Sequence, residues 1–190
     1  MSFPIARPKA RGFTLIELLI VVIILAILAA IAIPQFSAST VDARNAALDA
    51  NLATVRSAIE QYRVQHNNVN PGVATAAGGT CSTGATAGTG LANTAAALIS
   101  QLSMMTNAAG QACSVGDPVT YRFGPYLRGG IPNEPISNKG SLAADIAVTT
   151  DNATIVPTAV TAGWAYNTVT AQFIANSNAT DGNGRTYFQH

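Results

Sequence analysis

The sequence predicts an α+β chain: a long N-terminal helical spine, its first half able to cross a membrane, with a small antiparallel β-sheet head. Three observations predict it. Phe13 to Ile33 is an almost unbroken apolar run. Leu48, Leu52, Val55, Ile59 and Tyr62 then recur at steps of four and three, which lines one face of an amphipathic helix. After Pro71-Gly72 the chain turns to short β-favouring stretches set between Gly, Pro and Asn. A length of 190 residues suits one modest domain plus an appendage.

Residues 1–12 read as a basic leader carrying Arg7, Lys9 and Arg11. Residues 13–34 follow as the membrane-spanning segment. At 1.5 Å per residue the apolar run reaches about 31 Å, the thickness of a bilayer core. Its apolar residues occupy every side of the helix, as lipid requires. A positive cluster ahead of such a run stays cytoplasmic, which exports the remainder. A secretory signal peptide would have a shorter apolar region and a small-x-small site after it. Here the amphipathic pattern continues directly.

Glu17 is the anomaly in this run. A carboxylate at mid-helix costs about 2.5–3.5 kcal/mol on insertion scales and less near an end. It is either tolerated at the interface, protonated or snorkelling, or it awaits a cation, and no Lys or Arg lies within the run. Pro34 closes the run. Proline removes one helical hydrogen bond, so it marks either a stop at the membrane face or a kink in a continuing helix. The immediate return of the helical stripe favours continuation over residues 35–67. There Arg56 and Glu60, and Glu60 and Arg63, stand at pairing distances on the outer side.

Residues 68–190 form the head. Val73 to Gly90 is a surface loop of Ala, Gly, Thr and Ser. A short helix is expected over about 91–106, from Leu91, Ala95, Leu98, Leu102 and Met105. A sheet is expected over about 119–188, with strands at Val119–Phe123, Ile146–Thr150, Thr154–Val160, Gly163–Asn167 and Ala171–Ala175. The last two read as a hairpin. Trp164 and Tyr166 pack in the sheet or line a head–head contact. Cys81 and Cys113 lie beyond the membrane-like run, where an exported head meets an oxidising compartment. A disulfide between them would close a loop of about 33 residues, worth roughly 3–4 kcal/mol in the chain-entropy model. In a cytosolic protein they would be two thiols. We place the disulfide between the Gly-rich loop and the end of the short helix.

Arg11-Gly12-Phe13-Thr14-Leu15-Ile16-Glu17 resembles the prepilin-type cleavage and methylation motif. The run to Pro34 is similar to the N-terminal helix of type IV pilins and type II secretion pseudopilins, a resemblance covering about the first 60 residues. It implies cleavage between Gly12 and Phe13 by a prepilin peptidase and N-methylation of Phe13. It implies assembly into a homo-oligomeric filament, with Glu17 meeting the new amine of a neighbouring copy and Pro34 kinking the filament-core helix. Further implied partners are an inner-membrane assembly platform and an ATPase motor. The chain would sit in the inner membrane as a single pass with a periplasmic head, then in an extracellular pilus or periplasmic pseudopilus. The function implied is that of a structural subunit of a type IV pilus-like filament. The alternatives are a major, G-like pseudopilin of type II secretion, or a minor pilin whose head is a binding module. Gly124-Pro125-Tyr126-Leu127, Ile131-Pro132-Asn133-Glu134-Pro135 and Gly163-Trp164-Ala165-Tyr166-Asn167 are loosely similar to pseudopilin G-like heads.

Other chemistry is thinly represented. Asn176, Asn178, Asp181 and Asn183 are calcium candidates, and the resembled pseudopilins bind calcium in this part of the head. A single carboxylate falls short of what calcium usually takes, so a plain polar turn competes with that reading. His66 and His190 are the two histidines, and His66 reads as a helix-end surface residue. No zinc spacing, Walker loop or nucleophile elbow is present, which argues against an enzyme. Beyond residue 66 the basic residues are Arg122, Arg128, Lys139 and Arg185. That is too few to make nucleic acid a default partner, since phosphate binding needs clustered cations.

Overall fold

The computed structural model describes residues 12–157 and 160–190. The basic leader residues Arg7, Lys9 and Arg11 lie outside that range. The chain divides into two compact units between Thr40 and Val41. One helix, α1 (Leu15–Gln65), contributes to both.

In the first unit Leu15–Ile33 is 19 residues long with mean hydropathy 3.3, and none of it is buried. By length and composition it can cross a membrane. The helix assignment passes through Pro34 unbroken. Just beyond, Ser39 Oγ and Thr40 Oγ1 donate to the carbonyls of Gln35 (3.1 Å) and Phe36 (2.8 Å), one turn back.

The second unit is organised by the stripe on α1. Leu48, Leu52, Val55, Ile59 and Tyr62 are each 1% exposed or less. They pack into one core with Leu98, Leu102, Leu127, Ile131, Ile146, Trp164, Tyr166 and Phe173. The short helix α2 is Ala95–Ser103. Thr94 caps it by accepting from the Ala97 N–H at 3.2 Å, which explains why the helix begins later than its first leucine. Two short strands follow, β1 (Met105–Thr106) and β2 (Ala112–Cys113), paired antiparallel. Cys113 is joined to Cys81 with the Cα atoms 5.8 Å apart, so the disulfide ties the Gly-rich loop to β2 rather than to the end of α2.

The larger sheet has three strands in the order β3 (Ile146–Thr149), β4 (Val160–Asn167) and β5 (Phe173–Ser177). The β4–β5 pair is the antiparallel hairpin that the alternation predicts. β3 runs parallel to β4, so the sheet is mixed rather than wholly antiparallel. β4 bulges between Val160 and Trp164. Gly163 lies there at φ +86°, where any Cβ would strike the Asp145 carbonyl.

Two expected strands do not form among the described residues, and Thr158 and Ala159 of the second lie outside them. Val119–Phe123 forms only a single bridge, Phe123 to Thr106. Asp117 Oδ1 accepts the N–H groups of Val119 (2.9 Å) and Thr120 (2.6 Å) and curls the segment into a turn. The backbone over Thr154–Pro157 is irregular, and Gln172 Oε1 takes the Ile155 N–H at 2.7 Å in place of a ladder partner. Trp164 and Tyr166 are both core residues, their polar atoms answered by the carbonyls of Pro132 (2.8 Å) and Pro71 (2.9 Å). Both side chains are fully buried rather than on the surface of the head. His66 is also buried, at 3% exposure, rather than on the surface. It extends the α1 stripe by one more step of four.

Leu52→Ala should cost about 2–5 kcal/mol, because the void opens inside the core. Ala53→Ser, one residue on but exposed, should stay within about 0.5 kcal/mol. Guanidinium unfolding of the detergent-solubilised chain measures both. Replacing Cys81 and Cys113 by alanine together should cost about 2–5 kcal/mol, read as a lower midpoint in the same experiment.

Candidate functional site

The chemistry-bearing residues of the first unit cluster at the start of α1. Gly12, Phe13 and Thr14 precede the helix in irregular backbone. Thr14 and Glu17 then close a capping box. Glu17 Oε2 accepts from both the Thr14 N–H and the Thr14 hydroxyl, each at 2.8 Å. The Glu17 N–H donates to Thr14 Oγ1 at 3.2 Å. The first turn of a helix leaves N–H groups without partners, and an anion there also meets the positive end of the macrodipole. Glu17 is therefore occupied within its own chain. Thr14 was legible for this role, because Thr-x-x-Glu ahead of an apolar run is the sequence form of the box. Behind it, Phe13, Leu15, Ile16, Leu18 and Leu19 stand exposed, as do the large apolar residues onward to Ile33.

In the second unit the calcium candidates are spread over a strand and a turn. Asn176 belongs to β5. Asp181 Oδ1 accepts the backbone N–H groups of Asn183 (2.8 Å) and Arg185 (2.9 Å). Burial works to raise the Asp181 pKa. The Arg185 and Asn183 N–H groups, with the charges of His190 and Arg185, outweigh it and hold the carboxyl below its ordinary value. Among the described residues no group of three His, Cys, Asp or Glu side chains has metal-binding geometry.

Several polar groups fasten the end of the chain to α1. His190 Nδ1 lies 2.9 Å from Asp49 Oδ1, and its Nε2 lies 3.7 Å from Asp181 Oδ2. Arg56 donates from Nε to the Phe173 carbonyl (3.0 Å) and from Nη2 to the His190 carbonyl (3.2 Å). Of the sparse head cations, Arg122 lies over the Phe123 ring and Arg185 donates to the Gln189 carbonyl. Sequence reasoning also missed Glu134. It is buried and satisfied by the N–H groups of Ile136 (2.8 Å) and Ser137 (2.7 Å).

The prokaryotic N-terminal methylation motif matches residues 7–33. Two curated proteins of Thermus thermophilus are similar over about a third of the chain. PilA5, the type IV narrow pilus major component, is 49% identical over 61 residues, 32% of this chain and 53% of that protein. PilA4, the type IV wide pilus major component, is 43% identical over 60 residues, 32% of this chain and 46% of that protein. The chain thus spans about half the length of the curated relatives it matches. No solved structure matches it. The methylation motif, the apolar helix that carries it and these two relatives make this part of the chain similar to type IV pilins.

Proposed function

We propose that this chain is a structural subunit of a type IV pilus-like filament, processed by a prepilin peptidase between Gly12 and Phe13 and assembled through α1. The observation that carries this reading is the exposed apolar surface of Leu15–Ile33, none of which is buried. Burial of each large apolar side chain is worth about 1.5–3 kcal/mol, so such a surface does not stay in water. Before assembly lipid covers it, with the head on the periplasmic side. After assembly the helices of other copies cover it. An inner-membrane assembly platform and an ATPase motor would move the subunit from one setting to the other.

Glu17 gives the transfer its register. Cleavage after Gly12 would leave a cationic amine on Phe13. In a stack of helices, the amine of one copy can approach Glu17 of the next at one axial offset. A buried ion pair need not add net stability, but stranding one partner is strongly unfavourable, so the pair selects the offset. The Thr14–Glu17 box keeps the carboxylate satisfied until then. Pro34 supplies a point where the filament-core helix can bend. The pilus reading is preferred to a secretion pseudopilus because both similar relatives are pilus components.

Mass spectrometry of the native filament should show a chain beginning at an N-methylated Phe13. Retention of Met1 in assembled material would falsify the proposed processing. Glu17→Leu should reduce sheared filaments at least about tenfold while the membrane pool of subunit persists, because the amine of the neighbour is left unpaired. Normal filaments from that variant would remove the assigned register role. Deletion of the gene should abolish surface filaments; loss of enzyme secretion instead would point to a pseudopilus.

A further inference from the structure

His66 closes α1 in an environment that can satisfy it in either protonation state. Its Nδ1 lies 2.9 Å from the Tyr62 carbonyl, and its Nε2 lies 3.0 Å from the Asn107 carbonyl. Carbonyls only accept, and a neutral imidazole has one N–H, so it cannot serve both. The Thr106 hydroxyl, 3.2 Å from Nε2, is the third group at the ring. The Thr106 hydroxyl also acts on the Tyr126 phenol, favouring its ionised form against burial, and that phenol donates to Gln65 Oε1 at 2.7 Å. The ring stacks on Tyr62 at 3.8 Å between centroids and meets Phe123 and Tyr126 edge-on.

We propose that His66 is a proton-operated junction between the end of α1 and the β1–β2 hairpin. In the neutral state Nδ1–H donates to the Tyr62 carbonyl and Nε2 accepts from Thr106. The Asn107 carbonyl is then held only by the Gly110 N–H at 3.0 Å. Uptake of a proton from solvent turns Nε2 into a donor to Asn107. The Thr106 hydroxyl rotates to the Tyr126 oxygen, and the Tyr126–Gln65 bond is kept. Burial pushes the Tyr126 phenol up to about 12, so it stays a hydroxyl throughout. The charged state gains a charge-assisted bond across the junction and the stacked face of Tyr62.

The groups facing the ring are Tyr62 from α1, Thr106 and Asn107 from β1 and its turn, and Phe123 and Tyr126 from the segment after β2. Arg122 lies behind Phe123 at 5.0 Å. Among the described residues, the ring's hydrogen-bond and stacking partners include no carboxylate. Burial therefore dominates and holds His66 below the ordinary histidine pKa, against the pull of the Tyr62 and Asn107 carbonyls. The unfolded chain takes up this proton more readily than the folded one. Stability from His66 is complete above about pH 6.5 and falls as pH drops through the interval down to the lower folded value. The hairpin should respond in the opposite sense, held more firmly once the ring is charged.

Ring 15N shifts and amide exchange of the full chain in micelles, followed from pH 8 to pH 4.5, test this. At pH 8 the proton should sit on Nδ1. As pH falls below the ordinary histidine value of about 6.5 both nitrogens should become protonated, and protection at Gly110 and Gln111, corrected for the intrinsic pH dependence of amide exchange, should rise about tenfold. Thr106→Val should raise the midpoint, because the neutral ring loses its donor. Tyr126→Phe should lower it, because the charged state loses the acceptor for Thr106. A merely structural histidine predicts no such opposed pair. A ring neutral down to acid unfolding, a proton on Nε2 at pH 8, or titration without change at Gly110 and Gln111 overturns the proposal.

Discussion

Burial of one stripe of α1 is the constraint on which the second unit depends. Leu48, Leu52, Val55, Ile59 and Tyr62 present side chains that α2 and the three-stranded sheet close over. Several polar groups drawn into this core are answered by backbone groups. Gln101 accepts the Gly72 N–H at 2.6 Å and donates to the carbonyls of Ala74 and Gly110. Trp164 and Tyr166 reach backbone carbonyls of the proline-bearing connectors. An unanswered buried donor costs more than a made bond returns, so these contacts decide where the irregular segments lie.

The first unit shows the opposite condition. The same kind of residue recurs on all sides of the helix, and among the described residues none of Leu15–Ile33 is buried. Its polar needs are met locally, by the Thr14–Glu17 box at the start and by hydroxyl back-bonding near Thr40. Such a segment meets most of its hydrogen bonding within its own helix and is incomplete in burial. Lipid or other helices supply what is missing without any change of backbone, since helical N–H and C=O groups are already paired.

The helices were legible in the sequence because their period is local. Both the α1 stripe and α2 could be read from steps of three and four. The disulfide followed from two cysteines downstream of an export-like run. The sheet was less legible. Parallel pairing of β3 with β4 joins residues that no local pattern links, and the Asp117 turn outcompeted the β propensity of Val119–Phe123. His66 was misplaced because a polar residue at a helix end is usually solvated. The step of four from Tyr62 carried the contrary signal. At the N-terminus the Glu17 anomaly was plain, while the pairing with Thr14 needed the capping rule.

The Gly-rich loop is held near its middle by Cys81, and at its ends by Thr75 and the backbone of Ala76 and Ala77 on the Gly90 carbonyl. Between these anchors Ser82, Thr83 and Gly84 form an exposed turn closed by the Ala85 N–H to the Ser82 carbonyl at 3.0 Å. A Cβ built on Gly84 meets nothing. Length added at this tip leaves the disulfide and the core untouched, and loop-closure entropy grows only slowly with length. The tip is thus a natural place to graft an epitope or fluorophore-bearing peptide for watching the living chain.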